Sequence, residues 1–282
     1  MMQSNRLEPA PRQIADTQFE TIASLVEQEA GLSISPSKRA MVFSRVDKLV
    51  RAEGLAGFDQ YCAMLQEGPS AATIEKLVAA LTTNVTEFFR EPHHFEHFAE
   101  TLLPSATSHQ PCRVWSAGCA DGMEAYSIVM AAAKAGPAAE TFRAKVLGTD
   151  INRKMIHKAR VGIYDARHIQ QIPRSDADTF FAPLNGGKQF QIQPQIRDQV
   201  TFNSLNLIRD WPMRFKFDAI FCRNVLIYFS NATQNQLWPK LTKALRPGGY
   251  LYLGHSERFS DAADHGFQLV GPTTYQRTDS AA

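Results

Sequence analysis

Cysteine is scarce in this chain of 282 residues: there are only four, and no two form a C-x-x-C. Cys62, Cys112, Cys119 and Cys222 are scattered. That excludes a disulfide framework or a thiolate zinc site as the expectation, and suits reduced thiols in a cytosolic protein. An excess of either charge is also missing, since 30 Lys+Arg against 28 Asp+Glu leave a net charge of +2. So mild a balance does not argue for nucleic acid. No apolar run approaches the roughly 18 residues needed to span a bilayer. The opening MMQSNRLEPAPRQ lacks the apolar core of a signal peptide. No Ser-His-Asp or Cys-His arrangement, internal repeat or low-complexity tract is evident. The expectation is a soluble, cytoplasmic protein without nucleic-acid partner or membrane insertion, with residues 1–14 as a disordered tail.

What is present falls into two rhythms. From Asp16 to about Ser105 the pattern is helical, and residues 15–95 read as an N-terminal all-helical domain. Thr17 and Glu20 have capping-box spacing, and Gly31 is a stop. Ser35 and Pro36 read as N-cap and first helical residue of a stretch that closes at Gly54. After Pro111 come short apolar runs, CRVWSAG, AKVLGTDI, FDAIFCRN and GYLYLGHS, separated by helical stretches such as GMEAYSIVMAAAKAG and NATQNQLWPKLTKALRPGG. Alternating strands and helices predict an α/β fold with a doubly wound sheet over residues 96–282. FQLV and TTYQR around Gly271-Pro272 predict a terminal antiparallel hairpin. The stretch at about 163–200, with LNGGKQFQIQ, breaks the alternation and reads as a small inserted β subdomain. Between the two rhythms stands LTTNVTEFFREPHHF, with adjacent phenylalanines followed by Arg90.

In open α/β sheets ligands bind beyond the carboxyl ends of the strands. The first such turn is WSAGCADGMEAYS, where Gly118 and Gly122 allow a tight turn and close backbone approach. It is not G-x-G-x-x-G, and glycines serving only packing are the plain alternative. Asp150 ends the second strand and can accept both hydroxyls of a ribose, or cap the helix starting near Asn152, or do both. The turn has no Lys or Arg for a pyrophosphate; it carries Asp121 and Glu124. An acidic loop suits a cationic cofactor such as S-adenosylmethionine, and favours a methyltransferase over a dehydrogenase.

Taken together, LTTNVTEFFRE, VWSAGCADGMEAYSI, TDIN, VTFNSLNL, FDAIFCRNVLIYF and GHSE resemble the chemotaxis receptor methyltransferases of the CheR type. The resemblance covers nearly the whole chain beyond the tail, in the family's order. It implies a Rossmann-like methyltransferase sheet. It also implies methyl transfer from S-adenosylmethionine to glutamate side chains of methyl-accepting chemotaxis receptors, with S-adenosylhomocysteine as product and no metal. By that resemblance Asn84, Thr86, Arg90, Glu124, Asp150, Asn206, Leu207, Arg223 and Asn224 surround the cofactor. Glu124 would take the methionyl ammonium, Asp150 the ribose, and Asn206-Leu207 would lie near the adenine. Arg90 and Tyr228 would act on the reaction itself, with Phe88 and Phe89 anchoring the segment that carries Arg90. The family's glycine turn commonly reads Thr-Gly-Glu-Glu-Pro-Tyr-Ser; here it is Asp121-Gly122-Met123-Glu124-Ala125-Tyr126-Ser127, which keeps the second glutamate and loses the first and the proline.

The chemistry asks little more of the sequence. A carboxylate nucleophile is already ionised at pH 7, so no general base is needed. Arg90 is a natural clamp for it; Tyr228 is otherwise a core aromatic at a strand end. Base-modifying methyltransferases often carry Asp/Asn-Pro-Pro-Tyr where this chain has CRNVLIYF, which counts against that class. HHFEH places His93 and His97 four apart, with His94 between them, but a partly exposed helix face is the expectation rather than a metal. Cys119 and Cys222 read as small buried hydrophobes, and His255 as a structural hydrogen-bonding group. Arg45, Lys48 and Arg51 form a stripe at spacings of three, ordinarily a solvated face. The resemblance makes it a docking face for the cytoplasmic helical bundle of the receptors, and raises a receptor C-terminal peptide at the inserted β subdomain. The rival readings are a module that binds S-adenosylmethionine without turnover and a small-molecule carboxyl methyltransferase.

Overall fold

The structure, a computed structural model, describes residues 14–107, 109–135 and 143–278. The expected tail lies outside these residues except for Ile14, which is buried. The chain divides into two compact units between Thr82 and Thr83.

The first unit holds α1 (Asp16–Ala30), α2 (Arg39–Ala52), α3 (Phe58–Gln66) and α4 (Ala71–Leu81). Apolar residues at helical spacing form its core: Phe19, Ile22 and Val26 of α1, and Val42, Val46 and Val50 of α2, are all buried. Helix α1 stops at Gly31, whose φ of 73° suits a residue without Cβ. Its start differs from the Thr17/Glu20 box. The helix opens at Asp16, and Gln18 Oε1 accepts the Ala15 N–H at 3.0 Å. Thr17 is already inside the first turn, so its hydroxyl has no cap to make. Ser35 and Pro36 do open a turn, but a 3₁₀ one over Pro36–Lys38 that leads into α2.

The second unit begins with Thr83–Pro92, which is not helical although the sequence pattern ran through it. Phe89 and Glu91 stand at φ 53° and 58°, and Pro92, lacking an N–H, cannot continue a helix and instead opens the next. Then follow α5 (His93–Thr101), β1 (Cys112–Ala117), α6 (Met123–Lys134), β2 (Ala144–Asp150), α7 (Arg153–Val161), β3 (Ile163–Asp165), α8 (Arg174–Phe180), β4 (Phe181–Leu184), β5 (Gln189–Ile192), α9 (Pro194–Arg197), β6 (Val200–Ser204), β7 (Phe217–Cys222), α10 (Asn231–Ala244), β8 (Leu245–Leu253), β9 (Phe267–Gly271) and β10 (Thr274–Arg277). The run NATQNQLWPKLTKALRPGG thus divides, its helix stopping at Ala244 and Leu245 starting the strand.

Seven strands form one sheet in the order β6-β2-β1-β7-β8-β10-β9. The first five run parallel; β10 is antiparallel to β8 and to β9, giving the terminal hairpin. A parallel sheet is covered on both faces, and its central strands are accordingly rich in apolar residues: Val114, Trp115, Ala219, Ile220 and Phe221 are wholly buried. The strand order reverses at β1, with β2 and β6 on one side and β7 and β8 on the other. Pairing of Ser116 with Gly148 and with Phe221 brings the carboxyl ends of β1, β2 and β7 to the same level. This is the switch point where such sheets bind ligands.

The inserted subdomain is a separate antiparallel sheet, β3-β5-β4, with its β4–β5 turn at Asn185-Gly186-Gly187. It is tied to the main sheet's turn by Tyr164, whose hydroxyl donates to the Asp121 carbonyl at 2.7 Å. Phe88 is buried edge-on to Tyr164 and Phe181, with ring centroids 5.0 and 5.2 Å away. Burying such a ring contributes roughly 3–5 kcal/mol, judged by the cost of truncating it to alanine. The phenylalanines anchor their segment: the Phe89 N–H also donates to Ser127 Oγ at 2.9 Å.

Candidate functional site

The loop after β1 is built around two glycines. Gly118 stands at φ 82°, and a Cβ there would lie 2.3 Å from Val225 Cγ2; Gly122 at φ 94° would meet Ala159 Cβ at 2.8 Å. The close approach expected at these glycines is therefore, in this fold, an approach of protein to protein. Between them Ala120 takes φ 47°, and its N–H donates to Asp150 Oδ2 at 2.9 Å while Asp150 Oδ1 accepts from Asn152 N–H at 2.8 Å. Helix α7 is capped by Asn152 itself, which accepts from Lys154 N–H. Asp150 is thus a brace between strand and loop. Two bonds occupy about half of a carboxylate's acceptor sites and leave the others for a ligand.

Glu124, in the first turn of α6, accepts from the Ser116 hydroxyl at 2.6 Å through Oε1, and its Oε2 pairs with Arg223 at 3.3 Å. Burial pushes the Glu124 carboxyl above its ordinary value, with Arg223 and the Ser116 bond opposing. Burial likewise pushes Asp150 and Asp121 up, and Asp121 Oδ1 is buried without a hydrogen-bond partner. Three carboxylates with too little positive charge around them fit a cationic ligand. Met123 and Ala125, the departures from the family turn, are buried in the core.

Arg223 follows β7 and is buried, its side chain 1% exposed. Its guanidinium lies between Glu124 and Glu91, the latter 3.2 Å away, and donates to the Arg90 carbonyl. It also lies over the Phe95 ring at 5.5 Å. Burial raises the Glu91 carboxyl, but Arg223 and the bonds from His255 outweigh this and hold it below the ordinary value. Next in the chain, Asn224 takes φ 58°, and the half-buried Tyr228 closes the 3₁₀ turn Leu226–Tyr228.

The remaining expected residues fall around these. Asn84, Thr86 and Arg90 are half-buried, and Arg90 Nη1 donates to the Val85 carbonyl at 3.4 Å. Asn206 follows β6, its Oδ1 accepting from Ile208 N–H, and Leu207 is buried. In the first unit, Lys48 is exposed and Arg51 pairs with Asp47 at 2.7 Å. Arg45 does something the stripe did not reveal: its Nη1 donates to the carbonyls of Ala80, Leu81 and Thr82, the C-terminal end of α4.

His93 and His97 of HHFEH lie on a partly exposed helix face, as expected, but His94 between them does not. His94 is wholly buried, with Nε2 at 3.2 Å from the Pro272 carbonyl and 3.1 Å from Thr273 Oγ1; burial depresses its pKa to about 3. His97 Nδ1 bonds the Tyr252 hydroxyl at 2.9 Å. Glu91, His93 and His94 bring ligand-type atoms within 4.8 Å of one another, but Glu91 already has its counter-charge in Arg223. His255 bonds Glu91 at 3.0 Å, the structural role expected of it. Cys119 and Cys222 are buried, and burial pushes both thiols well up, away from reactivity.

Glu91, Ser116 and Glu257 were not singled out from sequence. Glu257, within GHSE, is 2% exposed. Its carboxylate accepts N–H groups from Gly254, Asn224, Val225 and Leu226 at 2.6–2.8 Å, and from Ile227 at 3.4 Å. Burial pushes it up and these donors act against that. A signal existed in the glutamate three residues past the strand-end glycine, but its partners lie some thirty residues upstream.

A parallel sheet in this strand order, with acidic groups at the switch point and an antiparallel terminal hairpin, defines a class: the Rossmann-like methyltransferases. Residues 84–276 match the family described as CheR methyltransferase, SAM binding domain, and residues 17–82 match CheR methyltransferase, all-alpha domain. The chain belongs to the CheR methyltransferase family. It is 39% identical over 260 residues to a probable chemotaxis protein methyltransferase of Rhizobium etli, covering 90% of this chain and 97% of that one. It is 37% identical to the chemotaxis protein methyltransferase of Salmonella typhimurium (93% and 90% covered) and 34% identical to that of Escherichia coli (93% and 91%). Among the described residues no helix is long and apolar enough to cross a membrane.

Proposed function

We propose that this methyltransferase acts on glutamate side-chain carboxylates of methyl-accepting chemotaxis receptors, forming glutamate methyl esters in the cytoplasm for sensory adaptation. The observation that carries the reading is the placing of half-buried Glu124 with buried Asp150 and Arg223 at the carboxyl ends of β1, β2 and β7, in a chain whose curated relatives are named for chemotaxis. Bound S-adenosylmethionine supplies an activated methyl group on a positively charged sulfur. Glu124 would hold the ammonium of that molecule, Asp150 its ribose through the acceptor sites left over from Ala120 and Asn152, and Asn206-Leu207 the adenine. Asn84, Thr86, Arg90, Arg223 and Asn224 complete the surround.

The acceptor carboxylate is ionised at neutral pH, so the protein's work is placement, a contribution of up to roughly 7–11 kcal/mol. Arg90 steers the incoming carboxylate, and a glancing contact serves better than a tight pair that would blunt the nucleophile. Tyr228 would stand near the reacting carbon. Lys48 and Arg51, with Arg45 behind them, form the docking face for the acidic helical bundle, while the inserted β subdomain takes a receptor C-terminal peptide. Reversing Lys48 and Arg51 to glutamate then slows association and weakens its salt dependence, because exposed charges act over a Debye length of about 8 Å at physiological salt.

The test is transfer of radiolabelled methyl from S-adenosylmethionine to receptor-containing membranes, followed by mild base. Label that enters receptor and leaves with base supports the reading. Binding of cofactor without transfer would make the protein a module, and label on small acids alone would make it a different carboxyl methyltransferase.

A further inference from the structure

We propose that Glu257 is a positioning residue for methyl transfer, acting through the loop Asn224–Tyr228. The inference rests on the functional reading above, because Asn224 and Tyr228 are the groups it would place. Its basis is a carboxylate that makes no ion pair among the described residues but has a full set of backbone donors. Glu257 Oε2 accepts the N–H of Gly254 at 2.6 Å and of Asn224 at 2.8 Å. Oε1 accepts Val225 at 2.8 Å and Leu226 at 2.7 Å, with Ile227 at 3.4 Å. Four consecutive amides of one loop therefore converge on one carboxylate, which also holds the amide following β8.

The loop needs such a hold. Asn224 lies at φ 58°, a left-handed conformation that a non-glycine residue keeps only when its surroundings dictate it. Gly254 packs so tightly that a Cβ there would lie 2.4 Å from Asn224 Nδ2 and 2.8 Å from its backbone nitrogen. The side chain of Glu257 is buried behind the loop and faces amides, so it sets where Asn224 and Tyr228 stand without itself meeting substrate.

The chemistry separates this role from packing. A carboxylate presents acceptors at both oxygens, as the two groups of donors require. Glutamine has the same shape, but its NH₂ would replace one oxygen and confront N–H groups with N–H. One group of bonds is then lost and the loop must move. A displacement of the order of 1 Å at a reacting group costs on the order of 100-fold in rate.

The experiment compares wild type, Glu257→Gln and Glu257→Asp as full-length chains. Amide hydrogen exchange is followed at residues 224–227 and 254, alongside kcat and KM for receptor-containing membranes and affinity for S-adenosylhomocysteine. We expect Glu257→Gln to raise exchange at those amides and to lower kcat on the order of 10–100-fold, leaving the receptor KM unchanged. Glu257→Asp, which keeps both oxygens one methylene back, should fall between the two and serves alone if the glutamine chain does not fold. Wild-type exchange and wild-type kcat in a folded variant would overturn the proposal, as would a loss confined to thermal stability. A wild-type protein inactive on receptor overturns the functional reading instead, and the exchange data still decide whether Glu257 holds the loop.

Discussion

The loop after β1 and the loop after β7 each put a non-glycine residue in the left-handed region, Ala120 at φ 47° and Asn224 at φ 58°. In both, that residue donates its N–H to a buried carboxylate, Asp150 for the first at 2.9 Å and Glu257 for the second at 2.8 Å. The means around them differ. The first loop is flanked by Gly118 and Gly122 and is braced from the neighbouring strand; the second has no glycine and relies on a carboxylate more than thirty residues downstream. The first leaves acceptor sites for a ligand, whereas the second uses its carboxylate on backbone. On the proposed function, the first is a binding loop steadied by its own ligand group, and the second is a loop held from behind.

Substitutions in and between the two loops test that contrast. The largest effect is expected for Arg223→Ala, because Arg223 at the start of the second loop pairs with Glu124 in α6, just past the first. Removing it leaves Glu91 and Glu124 buried without their cation, a loss of about 3–5 kcal/mol in stability, measured by urea unfolding. Gly118→Ala follows. It forces φ 82° on an alanine and a Cβ into Val225 of the other loop, costing roughly 2–5 kcal/mol by the same measurement. A smaller value would mean the loops are less tightly fitted than described.

Asp150→Ala should weaken S-adenosylhomocysteine by roughly 1.5–3 kcal/mol in calorimetric titration, because it removes both the brace and the ligand acceptor. Asn224→Ala should cost only about 1–2 kcal/mol of stability, the price of the left-handed conformation for a residue with a plain Cβ. Near neutral pH the smallest effect is a pH trend beside the Arg223–Glu91 pair. His94 is held neutral, with its pKa depressed from 6.5 to about 3. The unfolded chain therefore binds the proton first, and this share of stability, complete above pH 6.5, is lost as pH falls toward 3. Between pH 7 and 6 the loss is less than about 1 kcal/mol, steepening below that to at most about 1.4 kcal/mol per pH unit. His94→Gln should remove that part of the trend.

The contrast also explains what could be read from sequence. Local chemistry was legible: Gly31 ending α1, the alternation of strands and helices, the hairpin around Gly271-Pro272, and the glycine turn with Glu124 and Asp150 beside it. Each follows from residues a few positions apart. The illegible features depend on what the sheet order and helix packing bring together. Arg45 caps α4 from α2, His94 is buried against the turn at Pro272, and Glu257, just after β8, gathers amides from the loop that follows β7. The capping box at Thr17 failed for a smaller reason: Gln18, one residue on, makes the reciprocal bond from the other frame.

The most direct test of the account is to map the product. Receptor incubated with the protein and S-adenosylmethionine is digested, and its peptides are sequenced by mass spectrometry. Methyl groups are expected on glutamate side chains of the cytoplasmic helical bundle, removed by mild base and absent when Arg90→Ala and Tyr228→Phe are combined. Methyl groups on lysine or on the chain terminus, or receptor left unmodified by a protein that binds S-adenosylhomocysteine, would contradict it.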